Sequence, residues 1–231
     1  YKNNEISWIR SKIMVKYTWR TALRKKSSPG GANVITIDKM IIEFKKHGGV
    51  LKTSELNALG LSSRQIKKLV EEGTISKIKL GFYELTDYIA TEEIVIARLF
   101  PKAVIFLESA LMHYGYTDRI PSAYQIAVDR YSKTTQYNIE YPIIEPFYLE
   151  PKFLEIGVDK IQIENMKVRI YDRDRTICDV IRYERKLERE VFNNAIRRYV
   201  KDQKKNTRNL FEYAEIFNIK NKVQTYIGVW L

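Results

Sequence analysis

From Ile37 onward the apolar residues Ile37, Met40, Ile41 and Phe44 recur at i, i+3, i+4 and i+7. That spacing predicts one face of a helix, closed by His47-Gly48-Gly49. Thr53 is expected to cap a short second helix carrying Leu56 and Leu59, and Gly60 supplies the turn that breaks it. Ser62 with Gln65 three residues on forms a capping box for a third helix, whose Ile66, Leu69 and Val70 face inward. Gly73 ends it. Residues 76–85 then alternate about Gly81, which predicts a hairpin with Ile78 and Leu80 inward and Lys77 and Lys79 outward.

The pattern changes after residue 90. Thr91-Glu92-Glu93 opens a helix whose acidic first turn suits the helix dipole, and Pro101 ends it. A helix over residues 107–114 follows. Residues 125–130, 142–149 and 161–170 are rich in Val, Ile, Phe and Tyr and read as strands. From Thr176, expected to cap with Asp179, helical stripes return: Ile177, Val180, Ile181 and Leu187, then Phe192, Ala195, Ile196 and Tyr199, then Leu210, Tyr213, Ala214 and Phe217. Residues 223–231 suggest a last packing helix. The expected fold class is α+β: an N-terminal winged helix-turn-helix followed by a mixed α/β domain with C-terminal helices.

Composition bounds this picture. The 231 residues are 45% hydrophobic and 29% charged, so disordered and disulfide-scaffold classes are excluded. The single cysteine, Cys178, cannot form an intrachain bridge. No apolar run approaches the roughly 18 residues of a membrane span, and none after Lys2, Arg10 and Lys12 suits export, so a cytoplasmic protein is expected.

The net charge is +12, distributed as +7 over residues 1–33, +2 over 34–90, −2 over 91–170 and +5 over 171–231. Residues 27–33, Ser-Ser-Pro-Gly-Gly-Ala-Asn, are linker-like. The organisation read from this is a basic extension over 1–33, a DNA-binding unit over 34–90 and a second domain over 91–231.

A helix-turn-helix presents the N-terminal residues of its recognition helix to base edges in the major groove. Arg64 and Gln65 are therefore the candidate base readers, since Arg forks onto guanine and Gln onto adenine. Ser63, Lys67 and Lys68 on the same helix, with Lys77 and Lys79 on the wing, complete the candidate DNA-binding set. The alternative use of the same fold is a protein-contact module.

Candidate catalytic chemistry is sparse. Asp172 and Asp174 alternate as nucleotidyltransferase metal ligands do, but no glycine-serine phosphate loop precedes them, and they are expected to form ion pairs within Asp172-Arg173-Asp174-Arg175. Cys178 is expected to be buried and inert. His113 could orient a base but has no evident nucleophile. His47, His113 and Cys178 lie too far apart for a structural zinc site. Arg197, Arg198, Lys201, Lys204, Lys205 and Arg208 read as a solvated basic face rather than a nucleic-acid contact. No catalytic residue, metal or cofactor is assigned.

Taken in order, the winged helix ending Gly81-Phe-Tyr-Glu-Leu85, then Glu108-Ser-Ala-Leu111 with Gly115-Tyr-Thr-Asp-Arg-Ile-Pro121, then Arg175-Thr-Ile-Cys-Asp179, resemble the AbiEi family. Its members are antitoxins of type IV toxin–antitoxin and abortive phage infection systems. The resemblance spans about residues 36–231. It implies a winged helix binding inverted repeats in its own promoter, and a C-terminal domain required for antitoxin action. The implied functional partner is a nucleotidyltransferase toxin, opposed without a stable complex. The implied DNA contacts fall on Arg64, Lys67, Lys68, Lys77 and Lys79, and nothing is implied for residues 1–33.

Overall fold

A computed structural model describes residues 34–230, so the expected extension over 1–33 lies outside the described residues. The chain divides into two compact units. One takes the chain through Lys77 together with Tyr83–Ile89, and the other takes Ile78–Phe82 together with Ala90 onward.

The first unit begins with α1 (Val34–Lys46), followed by β1 (Val50–Lys52), α2 (Thr53–Ala58), α3 (Ser63–Glu71), β2 (Ile75–Lys79) and β3 (Phe82–Leu85). The three strands form a sheet in the order β1-β3-β2. The stripe read from the sequence supplies the core, with Met40 and Phe44 of α1 packing among Leu51, Leu56, Leu61, Ile66, Leu69, Ile75 and Leu85. Gly48, Gly49 and Gly60 all take positive φ, so the helix stops fall where the sequence places them.

Two local expectations are corrected here. Thr53 is the first helical residue of α2 rather than its cap; Lys52 is the cap, and its N–H donates to Glu55 Oε2 at 2.7 Å. Leu80, expected inward, stands 83% exposed, because it sits in the β2–β3 turn beyond the last paired residues. The inward apolar residue of β2 is Ile75, 1% exposed.

The second unit is mixed. It runs α4 (Glu92–Leu99), β4 (Val104–Ile105), α5 (Leu107–His113), β5 (Tyr124–Asp129), β6 (Ile144–Leu149), α6 (Pro151–Leu154), β7 (Val158–Ile163) and β8 (Met166–Tyr171). Four helices complete it: α7 (Arg173–Arg182), α8 (Arg189–Lys201), α9 (Thr207–Ile216) and α10 (Lys220–Tyr226). The five strands order as β6-β5-β4-β8-β7. β4 pairs β5 antiparallel and β8 parallel, while β5–β6 is parallel and β7–β8 antiparallel.

Side-chain burial explains which strands the sequence revealed. β5 is buried over Tyr124–Val128, as a strand covered on both faces is, with the buried Gln125 its one polar side chain there, donating to Glu145 Oε2. The stretch 161–170, expected as one strand, is a hairpin: Glu164 takes φ 49 and reverses the chain between β7 and β8. At the β6 edge, Tyr124 N–H bonds Ile143 O and Arg130 N–H bonds Leu149 O, so odd-numbered residues of β6 face β5. Pro146 is even-numbered, and its missing donor therefore lies on the outward edge, which blunts edge-to-edge pairing.

The helical layer packs on this sheet through Phe106, Tyr171, Ile177, Val180, Ala195, Tyr199, Leu210, Ala214 and Val223, all buried. Asp172, not Thr176, caps α7: its Oδ1 accepts from Arg175 N–H at 2.7 Å. Thr176 is already inside the helix, with its hydroxyl donating to Tyr171 O. The tail expected as one helix over 223–231 is α10, starting three residues earlier, followed by a 3-10 turn over Gly228–Trp230.

Candidate nucleic-acid interface

The entry to α3 is fixed by three local devices. Gly60, at φ 87, makes the turn that an L side chain resists. Leu61 before the cap and Ile66 in the first turn are both buried in the same cluster, a hydrophobic staple that sets the approach of the chain. Ser62 is the cap, and its side-chain oxygen accepts from Gln65 N–H at 3.4 Å.

With Ile66 and Leu69 buried, α3 exposes Ser63, Arg64, Gln65, Lys67 and Lys68 on its other side. The helix thus brings together five of the seven expected site residues, and Lys77 is exposed on β2. These residues are not electrostatically equal. Lys67 lies 3.8 Å from Glu71 and Lys68 lies 3.6 Å from Glu72. Such exposed pairs are worth only about 0.3–0.5 kcal/mol and are screened by salt, so a phosphate can displace the glutamate. No ion pair is formed by Arg64 or Lys77 among the described residues.

Two of the expected residues have partners within the protein. Gln65 Oε1 accepts from both the Ser62 N–H, at 2.9 Å, and the Ser62 hydroxyl, at 2.8 Å. The bidentate grip on adenine needs that same oxygen, so Gln65 cannot cap α3 and fork onto a base at once. Lys79 groups with the second unit: its Nζ donates to Gln136 O and lies 4.8 Å from the centre of the Phe100 ring. Burial pushes its pKa below the ordinary lysine value. Its ammonium is engaged by these two groups within the second unit.

The acidic candidates also resolve. Asp172 and Asp174 do not pair with the arginines of their own motif. Asp172 Oδ2 accepts from Tyr213 OH at 2.8 Å, and Asp174 Oδ1 accepts from Tyr199 OH at 2.7 Å and from Asn206 N–H at 2.8 Å. Burial raises both carboxyls above the usual aspartate value. Arg173 reaches Asp202 instead, at 3.0 Å, and Arg175 reaches Asp179. Among the described residues, no three His, Cys, Asp or Glu side chains converge as a ligand set. Cys178 is fully buried, and burial drives its thiol pKa up, away from thiolate chemistry. His113 is exposed at the end of α5, edge-on to Tyr114. No helix among the described residues is long and apolar enough to cross a membrane.

Residues 38–86 match the family model described as "Transcriptional regulator, AbiEi antitoxin". The match runs from α1 to the end of the β2–β3 hairpin and includes every expected DNA-contact residue. No curated protein matches the chain.

Proposed function

We propose, from the AbiEi antitoxin regulator domain that residues 38–86 match, that this chain is a DNA-binding antitoxin that represses its own promoter. Residues 34–90 act as a winged helix-turn-helix with α3 as recognition helix, and residues 91–231 are the antitoxin domain. Two copies occupy inverted half-sites, since a single recognition helix reads few bases. The system is type IV: a cytoplasmic nucleotidyltransferase toxin is counteracted without a stable complex, and the chain itself is not an enzyme. The observation that carries the reading is that the matched segment is the same one that exposes Arg64, Lys67, Lys68 and Lys77 around a well-capped α3.

The test is a gel shift of the full chain on the DNA upstream of its own gene, beside a promoter-reporter assay. Specific binding that weakens with salt is expected. If about six phosphates are engaged per copy, log K falls against log[salt] with a slope near −5. Upstream DNA bound no better than random duplex, with no repression of the reporter, would sink the reading.

A further inference from the structure

The basic residues of the C-terminal helical layer, expected to be a uniformly solvated face, separate in the structure into two groups. Arg198 is held by Gly115 O and Asp118, Arg208 by Glu212, and Lys205 by Asp202 O. Arg189, Arg197, Lys201 and Lys204 form no ion pair among the described residues. On α8, Arg189, Asn193, Arg197 and Lys201 are all exposed and follow one another at four-residue steps, which places them along one side of the helix. Arg197 donates to the neutral Asn194 side chain, at 2.6 Å. Lys204, in the turn just past the helix, is exposed as well.

The carboxylates that could neutralise this row are engaged elsewhere. Asp118 faces Arg198, Glu188 faces Arg119, and Asp202 accepts from Tyr116 OH and Arg173. Glu190 is the single acidic residue of α8 and lies in its first turn. The opposite face of α8, with Val191, Phe192, Ala195, Ile196 and Tyr199, is buried in the core. The helix is therefore fixed in place with a side of unpaired cations turned to solvent. α3 differs, because its two lysines each have a glutamate within 4 Å.

We propose that the row Arg189, Asn193, Arg197 and Lys201 on α8, with the exposed Lys204 in the turn that follows, is a second phosphodiester-binding surface for duplex DNA. Twelve residues of helix rise about 18 Å. Successive members of the row stand about 6 Å apart along the axis of a rigid helix, so they can each meet a different phosphate of one strand. Guanidinium groups and the Asn193 amide supply directed donors to phosphate oxygens. An anionic membrane is a poorer fit, because the apolar face of α8 is already packed and none is left to insert into lipid. Contacts of this kind carry no sequence information, and the row would strengthen every duplex equally.

The test uses the full chain and an Arg189→Gln/Arg197→Gln/Lys201→Gln variant, titrated by fluorescence anisotropy against the upstream duplex and a random duplex at several salt concentrations. All three positions are exposed, and a melting curve checks that the fold is kept. The slope of log K against log[salt] is expected to become shallower by about 2 to 3 on both duplexes, with the preference for the upstream DNA unchanged. An Arg64→Ala/Lys77→Gln variant, which acts on α3 and the hairpin, is expected to lose the preference yet retain salt-sensitive binding. Combining all five substitutions is expected to weaken that remainder on both duplexes, leaving the contacts of Lys67 and Lys68. An unchanged slope in the triple variant overturns this proposal and leaves the α3 reading standing. A wild-type chain that binds no duplex overturns both. Loss of binding to a polyglutamate probe with DNA binding intact would assign the row to an acidic polypeptide and overturn the proposal.

Discussion

Arg175 Nε donates to Asp179 Oδ2 at 2.7 Å, and both side chains are fully buried. Asp179 also takes Arg182, at 2.7 Å. Arg175 Nη1 reaches Phe153 O and Ile156 O, and its guanidinium centre lies 4.2 Å from both the Tyr171 and Phe217 ring centroids. The Arg175-Thr-Ile-Cys-Asp179 motif thus ties α7 to the chain before β7 and to the end of α9. Removing one partner of such a pair leaves the other charged and buried. Asp179→Ala is expected to cost about 3–5 kcal/mol, read by urea unfolding, whereas DNA contacts on α3 are untouched. A loss below about 1 kcal/mol would show that the pair contributes little to the fold.

Gly157 makes that arrangement possible. At φ 70 it already favours glycine, and a Cβ there would come within 2.6 Å of Arg175 Cβ. Gly157→Ala therefore combines left-handed strain with overpacking and is expected to cost roughly 2–5 kcal/mol. Thermal unfolding measures it. A variant as stable as the parent would mean that the β7 entrance relaxes freely.

Gln65 separates capping from base reading. Gln65→Glu keeps an acceptor for the Ser62 N–H and is expected to preserve the preference among base-substituted operators, although the added negative charge weakens binding overall. Ser62→Ala removes the cap and is expected to cost about 0.5–2 kcal/mol of stability. If Gln65→Glu instead relaxes the preference at one base pair, Gln65 reads that base directly.

Arg64 is the opposite case. It lies in the first turn of α3 with no ion-pair partner among the described residues, so Arg64→Ala is expected to cost about 1–3 kcal/mol on the operator and to relax the preference at one position. Competition with single-base operator variants measures this. An equal loss on random DNA would make Arg64 a phosphate contact.

Asp174 gives the chain a pH signature. Burial raises its folded-state carboxyl above 3.8, so the native state holds the proton more tightly than the unfolded chain. This contribution to stability is fully present below the unfolded value and fades as pH rises through the folded one. Asp174→Asn keeps the Oδ1 acceptor for Tyr199 and Asn206 but does not titrate. Its melting temperature relative to the parent is therefore expected to be most favourable at pH 7 and to fall as pH drops toward 4. A pH-independent difference would contradict the raised carboxyl.

Much of the first unit was legible from sequence because its signals are local. Ile66 and Leu69 share a helix face by spacing alone, and Gly60 and the Ser62–Gln65 pair act across five residues or fewer. The same local reading gave Gln65 two roles at once without the conflict between them, since a capping box and a base reader ask for the same amide oxygen. It also merged β7 and β8, because no glycine or proline marks the turn at Glu164.

The sequence by itself determined where helices start and stop in the first unit, which faces of α3 and α8 are polar, and which segment matches the AbiEi regulator family model. Those properties depend on neighbours one helical turn away. Only the tertiary structure decided which charges are free. Asp172 and Asp174 meet tyrosines 41 and 25 residues distant, Arg198 meets Asp118 80 residues away, and Lys79 meets Gln136 57 residues away. A charge is neutralised by what packs against it, and packing joins positions whose separation along the chain carries no pattern.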